Sequence, residues 1–228
     1  MRFCRCEMLI GADALERLKN SSVAVFGVGG VGGYVVETLT RSGVGKMAIV
    51  DKDVVDESNI NRQIVALTST IGKSKVDVMK NRMFDINPEV AVEAYKEFYL
   101  PENADFIDLT SFDYVVDAID NVTAKIELIK RCKAAGVPII SAMGAGNKLD
   151  PSRIEITDIS RTSVCPLAKV VRRKLAELGV RDVLVAYTKE SPSNASGGRT
   201  PASMMPVPAT MGIAIASRVI RDLTFLEK

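Results

Sequence analysis

Short, uniformly apolar segments alternate with longer segments of helical periodicity along this chain, and that alternation limits the folds open to it. Several segments are rich in β-branched residues and end at glycine or polar side chains, as strands do: 22–27, 47–51, 90–95, 114–119 and 137–141. Strands that are apolar at successive positions are buried on both faces, which is typical of a parallel sheet covered by helices. Because crossovers between parallel strands are right-handed, the sequence predicts an α/β fold with a doubly wound, mostly parallel sheet.

The alternation of strand-like and helical segments changes after Gly146. We expect further strands and helices in the order strand, basic amphipathic helix, strand and buried helix: 153–159, 166–178, 183–187 and 209–226. Arg218, Arg221 and Asp222 interrupt the last apolar stretch, so we expect no membrane span and no membrane partner. A segment at about 190–208 is rich in Ser, Pro and Gly and is expected to be a mobile loop that covers an active site. A plain disordered insertion fits that composition nearly as well.

Length and composition fit one domain. The chain has 228 residues, of which 47% are hydrophobic and 25% charged, which are ordinary values for a globular protein with a sizeable core. We expect an N-terminal arm and helix, a core, and a C-terminal extension of strands and helices: 1–20, 21–146 and 147–228. The formal net charge of +2 is too balanced to indicate nucleic-acid binding by itself.

The chain contains no histidine. This excludes Ser-His-Asp and Cys-His nucleophile pairs, an imidazole general base, a HExxH zinc site and a haem held by a proximal histidine. The four cysteines form no CxxC pair, and the N-terminus lacks a signal-peptide pattern. We therefore expect reduced thiols and a cytoplasmic location.

A glycine-rich turn joins the first expected strand to the first expected helix. It contains Gly27, Gly29, Gly30 and Gly32. Glycines there let the backbone approach a phosphate, and the helix N-terminus supplies free N–H groups and positive potential. Asp51 ends the second strand about 20 residues later, where an acid can bind ribose hydroxyls. The pattern predicts a Rossmann-like nucleotide site, although such glycines can also serve close helix–strand packing.

Side chains suited to a triphosphate follow the other strands of the expected sheet: Asp53, Asn59, Arg62, Gln63, Lys75, Asp120 and Asn121. The forked guanidinium of Arg62 suits phosphate oxygens, and a carboxylate such as Asp120 opposite a triphosphate is a natural Mg²⁺ ligand. Each of these charges alone would more often be a solvated surface group. Because the carboxyl ends of parallel strands meet at one edge of the sheet, their convergence favours ATP over NAD.

Together these residues resemble the ThiF/MoeB/ubiquitin-activating superfamily, whose members adenylate carboxylates with MgATP. The matching positions are Gly27–Gly32, Asp51, Asp53, Asn59, Arg62, Gln63, Lys75, Asp117, Asp120 and Asn121. Three further stretches, 5–11, 141–151 and 162–173, are similar to the tRNA threonylcarbamoyladenosine dehydratase group within that superfamily. The resemblance covers most of the chain and implies a single ThiF-type adenylating domain.

The resemblance implies an ATP-dependent enzyme that activates the carboxylate of a modified adenosine, next to the tRNA anticodon, and closes it into a ring. ATP would lie across the glycine turn, with Asp51 on the ribose and Asp53 near the reacting phosphates. Asp120 would hold Mg²⁺, while Arg62 and Lys75 would stabilise charge on the phosphates. Asn59, Gln63 and Asn121 are the remaining nucleotide-binding candidates.

The resemblance also implies partners. Relatives are homodimers in which an N-terminal arginine reaches the partner's ATP, and Arg5 matches that position, although a plain exposed arginine is equally consistent. Four cations on one expected helix would contact tRNA phosphates, although a solvated helix face is slightly more common: Lys169, Arg172, Arg173 and Lys174. A sulfur-transfer partner protein is conceivable, but the segment 202–206 has no cysteine for a relay.

Three alternatives stay open: an activator of a ubiquitin-like sulfur carrier, an NAD-dependent oxidoreductase, and a nucleotide-sensing module without catalysis. The zinc-binding CxxC pairs usual in sulfur-carrier activators are missing. Cys165 is the one candidate for a covalent thioester, and we expect it to be a packed or surface thiol. Arg62, Lys75 and Asp120 argue against an oxidoreductase, and as a full activating set they argue against a plain binding module.

Overall fold

The computed structural model describes residues 2–193, 197–198 and 201–224. These residues form a seven-stranded sheet: β1 (Ser22–Phe26), β2 (Lys46–Val50), β3 (Ala91–Tyr95), β4 (Tyr114–Asp117), β5 (Ile139–Ala142), β6 (Ile154–Asp158) and β7 (Leu184–Thr188). The strand order is β3-β2-β1-β4-β5-β7-β6. All neighbours pair in parallel except β6 and β7, which are antiparallel. The α/β, mostly parallel, doubly wound fold predicted from the sequence is confirmed.

Helices cover both faces of the sheet: α1 (Cys4–Ile10), α2 (Ala12–Asn20), α3 (Gly32–Ser42), α4 (Lys75–Ile86), α5 (Val122–Ala135), α6 (Pro166–Glu177) and α7 (Pro206–Thr224). Alternate residues of β1 point to opposite faces, so Val23 and Val25 pack with α3 and α7, while Ala24 and Phe26 pack on the side of α5 and α6. Both layers are fully buried at these positions. The nearly uninterrupted apolar strands in the sequence follow from this double burial.

The C-terminal helix starts earlier than the sequence suggests. We expect a loop as far as Pro208, whereas α7 begins at Pro206. Proline is tolerated in the first helical turn because its missing N–H would have no partner inside the helix. Residues 194–196 and 199–200 of the expected loop, and 225–226 of the expected helix, lie outside the described residues. Among the described helices, none combines the length and the apolar composition that a membrane span requires.

Helix α7 packs directly on the start of α3, beside the glycine turn. A Cβ atom on Gly212 would lie 2.4 Å from the carbonyl oxygen of Val31 and 2.9 Å from the Cβ of Tyr34. The two helix backbones therefore approach more closely than any side chain allows. The C-terminal extension thus supports the turn that the sequence assigns to nucleotide binding.

A fully buried ion pair joins β4, α5 and β5 beneath the carboxyl edge of the sheet. The Nζ of Lys125 donates to Asp117 Oδ2 at 2.7 Å, to Ser141 Oγ at 3.2 Å and to the carbonyl oxygen of Ala142 at 3.0 Å. Asp117 Oδ1 accepts from the backbone N–H of Ile119 at 3.1 Å, at the start of the β4–α5 turn. Because all members are hydrogen-bonded, the network holds that turn in one conformation.

Replacing Lys125 by methionine is expected to lower the free energy of unfolding by about 3–5 kcal/mol, because Asp117 would be left buried without its counter-charge. Urea denaturation measures the change. Lys130→Met is the matched control, since Lys130 lies on the same helix in a partly exposed pair with Glu127 and should change stability by less than about 1 kcal/mol. Equal losses in the two variants would contradict the assigned role of the buried pair.

Candidate functional site

A cleft of about 1080 Å³ opens at the carboxyl edge of β1, β2, β4 and β5. It is lined by most of the side chains and glycines singled out in the sequence: Gly27, Gly29, Gly30, Asp51, Asp53, Asn59, Arg62, Gln63, Lys75, Asp120 and Asn121. Gly32 lies in the first turn of α3, behind this wall. The structure therefore brings the predicted nucleotide-binding residues together, as expected where parallel strands end side by side.

Three of the four glycines in the turn differ in the space around them. Gly27 has φ 93°, and a Cβ atom there would lie 2.6 Å from the carbonyl oxygen of Ala118; on Gly32 it would lie 1.8 Å from the carbonyl oxygen of Gly27. These two glycines are required for close packing. At Gly29 the nearest atom to such a Cβ is 4.0 Å away, so this glycine leaves open space in the cleft. The packing function therefore applies at Gly27 and Gly32, and Gly29 leaves the space that the predicted phosphate approach requires.

Asp51 holds the glycine turn in place. Its Oδ2 accepts from the backbone N–H of Val28 at 2.7 Å, and its Oδ1 accepts from the N–H of Asp53 at 2.9 Å. The sequence suggested ribose binding for this residue but not the structural role. A carboxylate oxygen can accept more than one hydrogen bond. Asp51 can therefore hold the turn and still accept from a ligand hydroxyl.

The two predicted cations are anchored differently. The Nζ of Lys75 is buried and lies 2.9 Å from Asp53 Oδ2. The Nη1 of Arg62 donates to the carbonyl oxygen of Ser58 and to Asn61 Oδ1, both at 2.8 Å. Within the described part of the chain, its Nε and Nη2 donate to no protein atom. Arg62 is thus positioned beside the turn with donors to spare for a phosphate.

The three amide side chains differ in how they are used. Asn59 Oδ1 accepts from the N–H of Asp56 at 3.2 Å, and Asn121 Oδ1 caps α5 by accepting from the N–H of Ala124 at 3.0 Å. Gln63 is buried, and its Oε1 has no hydrogen-bond partner among the residues described. An unpaired buried amide oxygen costs about 1–3 kcal/mol, so Gln63 is the amide most in need of a ligand or water donor.

Asp120 has the features of a magnesium ligand. It is exposed in the cleft, and across residues 2–193, 197–198 and 201–224 it makes no hydrogen bond or ion pair. No cluster of three acidic or cysteine ligands occurs in that part of the chain. Mg²⁺ commonly takes one or two protein carboxylates and completes its shell with phosphates and water. A single unpaired carboxylate beside the expected phosphate position matches that coordination pattern.

The sequence patterns do not single out Lys148, which lies in the loop after β5 and lines the cleft. Its side chain is buried, and its Nζ donates to the carbonyl oxygen of Gly144 at 2.8 Å. Burial lowers the pKa of Lys148, while the nearby Cys165 and Glu190 act to raise it. Cys165 itself is a buried thiol in the same wall. Two sequence signals pointed to this loop without singling out the lysine: ligands bind at the carboxyl ends of strands, and the stretch 141–151 carries part of the family resemblance.

Asn147 ties the C-terminal segment to the loop after β5. It has φ 61°, which asparagine tolerates better than most residues. Its N–H donates to the carbonyl oxygen of Ala202 at 2.7 Å, its Oδ1 accepts from the N–H of Ala202 at 2.6 Å, and its carbonyl oxygen accepts from Ser193 at 2.8 Å. Pro192, Pro201 and Ser203 line the cleft. The described ends of the expected covering loop thus border the site, while its mobility stays a prediction.

Two predicted contact regions lie outside this cleft. Arg5 is exposed on α1 and is not among the described residues that line the cleft of its own chain. On α6, Lys169 and Arg173 are exposed, whereas Arg172 is half-buried and donates to the carbonyl oxygen and Oγ1 of Thr162 at 2.9 and 2.6 Å. Arg172 therefore anchors the helix start as well as adding charge to its surface.

Comparison with known proteins agrees with this geometry. Residues 3–226 match the ThiF family. The tRNA threonylcarbamoyladenosine dehydratase of Bacillus subtilis is 46% identical over 239 residues, which cover 97% of this chain and 94% of that protein. The crystal structure of E. coli tRNA N6-threonylcarbamoyladenosine dehydratase, TcdA, in complex with AMP is 32% identical, with a TM-score of 0.93 over 99% of this chain and 94% of that one.

A second kind of relative matches a shorter part of the chain. The sulfur carrier protein adenylyltransferase of Thermus thermophilus is 38% identical over 131 residues, which cover 58% of this chain and 48% of that protein. The similarity to the B. subtilis and E. coli dehydratases, by contrast, extends through the C-terminal extension. The fold, the cleft and a family match over nearly the whole length agree, and the chain belongs to the ThiF family.

Proposed function

We propose that this protein is an ATP-dependent dehydratase that closes the threonylcarbamoyl group of N6-threonylcarbamoyladenosine in tRNA into a ring, by adenylating its carboxylate. One observation carries the proposal. The glycine turn, two anchored cations and a free carboxylate meet in one cleft, in a chain that aligns along almost its full length with relatives of that name. The four free thiols fit a cytoplasmic location for this activity.

The cleft accounts for ATP binding. The E. coli TcdA has been solved with ATP as well as with AMP. In this chain the open backbone at Gly29 and the start of α3 would receive phosphates. Asp51 would accept from the ribose, and a donor on the nucleotide would satisfy the unpaired Oε1 of Gln63. Bound Mg²⁺, held by Asp120, would neutralise phosphate charge and orient the triphosphate.

The first chemical step needs no general base. The substrate carboxylate is ionised at neutral pH, so it can attack the α-phosphorus directly and displace pyrophosphate. Catalysis then depends on positioning and on stabilising the charge that builds up on the phosphate oxygens. Arg62, which has unused donors, and Lys75, beside Asp53, would do this. A histidine-free chain can therefore carry out the reaction.

The second step closes the ring. The neighbouring carbamoyl group attacks the activated acyl carbon, AMP leaves, and the nucleoside has lost one water overall. A sulfur-carrier activator would instead present a protein C-terminus at the same place. The shorter match to the Thermus thermophilus adenylyltransferase makes that the weaker candidate. Neither the CxxC pairs nor a cysteine in 202–206 is present in the sequence to support a sulfur relay.

The direct test is the mass of the tRNA nucleosides after incubation with ATP. We expect threonylcarbamoyladenosine in the substrate tRNA to lose one water, and Asp120→Asn to lower the rate by a factor on the order of 10² or more, because phosphate charge would go unneutralised. Reactions without ATP are the control. If no tRNA changes while a Gly-Gly-ended protein stimulates pyrophosphate exchange, the sulfur-carrier alternative replaces this proposal.

We also propose a homodimer in which Arg5 completes the partner's site, since Arg5 is exposed and does not line its own cleft. Arg5→Ala and Asp120→Asn should each be inactive alone. Co-expressed, they should recover about a quarter of wild-type activity, because half of the dimers would be mixed and each would hold one intact site. The presence of mixed dimers would be verified by mass. If the mixture then recovered no activity, Arg5 would not act in the partner's site; it would act in its own subunit or have no role in the reaction.

Helix α6 is the proposed tRNA surface, through Lys169 and Arg173. Reversing both charges to glutamate should weaken tRNA binding and reduce the slope of log K against log salt by about 1–2, because phosphate contacts release counterions. The same double reversal at Lys80 and Lys130, on other helices, is the control for net charge. An equal loss of affinity in both double variants would mean that α6 is not the contact surface.

A further inference from the structure

Lys148 is unusual among the lysines that the structure describes. It is 5% exposed, yet among the described residues it belongs to no ion pair, and its one hydrogen bond goes to the carbonyl oxygen of Gly144. The other two buried lysines, Lys75 and Lys125, each have an aspartate within 3 Å. A buried ammonium without a carboxylate partner is costly, so the surroundings of Lys148 favour the neutral amine.

The groups around Lys148 do not cancel its preference for the neutral amine. Burial is the main influence and lowers its pKa, while Cys165, at the start of α6, and Glu190, after β7, oppose it. The Glu190 carboxylate already accepts from the backbone N–H groups of Leu149 at 3.0 Å and Asp150 at 2.8 Å. Its charge is therefore shared with the loop and does not form an ion pair with Lys148.

Lys148 lies on the side of the cleft where we expect the acyl group of the substrate. The glycine turn follows β1, Asp120 follows β4, and the loop carrying Lys148 follows β5; these three strands are neighbours in that order. All three segments line the same cleft. Within the proposed function, Asp51 after β2 binds the ribose and the turn after β1 receives the phosphates, so the group joined to the α-phosphate would extend away from β2, towards β5.

Ring closure needs a proton acceptor, whereas adenylation does not. Its nucleophile is a neutral carbamoyl group whose N–H proton must leave as the ring forms, and the chain has no imidazole to take it. We propose that the neutral amine of Lys148 accepts this proton. The bond from the carbamoyl group to the acyl carbon forms, the acyl C–O bond to AMP breaks, AMP keeps the electron pair, and the carbamoyl proton moves to Nζ. This role rests on the proposed function.

The test separates the two chemical steps in the full-length enzyme. Lys148→Met keeps the length of the side chain, so pyrophosphate exchange that depends on threonylcarbamoyladenosine tRNA should stay within about threefold of wild type. Ring formation should fall about 10²–10⁴-fold, and hydroxylamine should trap the accumulated acyl-adenylate. Lys130→Met, on the surface of α5, is the control and should change neither step.

A second variant distinguishes proton transfer from charge. Lys148→Arg keeps a cation that does not deprotonate in proteins, so it should form the adenylate but should not restore ring closure. Restored closure with arginine would overturn the proposal in favour of simple electrostatic stabilisation. Parallel losses of both steps in either variant, or normal closure in Lys148→Met, would overturn it as well. If wild-type enzyme formed no ring at all, the proposed function would fail first, and these variants would not be needed to show it.

Discussion

The site depends on a close backbone approach that leaves no room for a side chain. A Cβ atom at Gly32 would fall 1.8 Å from the carbonyl oxygen of Gly27, and one at Gly27 would fall 2.6 Å from that of Ala118. Asp51 then ties the turn to the end of β2 through the N–H of Val28. The turn between β1 and α3 is thereby fixed against β4 and β2. Because the nucleotide cleft is built on this turn, its geometry sets where the phosphates can lie.

The two proposed chemical steps use different walls of the cleft. Adenylation uses fixed charges on one wall, and ring closure uses a proton acceptor on the other. Next to the glycine turn, Arg62, Lys75 and Asp120 suit a step whose nucleophile is already ionised. On the opposite side the loop after β5 carries Lys148, a buried amine without a carboxylate partner among the described residues. The proposed reaction can therefore proceed without histidine. One step needs no base, and the other has a desolvated lysine available.

Local patterns in the sequence predicted the sheet, the glycine turn and the gathering of polar residues at its carboxyl edge, because strand periodicity and topology determine all three. They did not reveal Lys148 or the Asp117–Lys125 pair, whose burial depends on loops and helices that are distant in the sequence. From the sequence alone Arg172 is expected to be a surface cation, but its contact with Thr162 depends on how α6 begins. The start of α7 at Pro206 was missed because proline was treated as a loop residue.

The proposed chemistry depends on adenylation of the carboxylate of the modified adenosine in this cleft. Substrate tRNA carrying ¹⁸O in both carboxylate oxygens tests it directly, by mass analysis of the AMP released in the reaction. Adenylation predicts that one labelled oxygen moves to AMP and the other remains in the carbonyl of the ring, since the attacking oxygen leaves with the nucleotide. Unlabelled AMP together with the closed ring, or the release of ADP and phosphate, would exclude adenylation as the activating step.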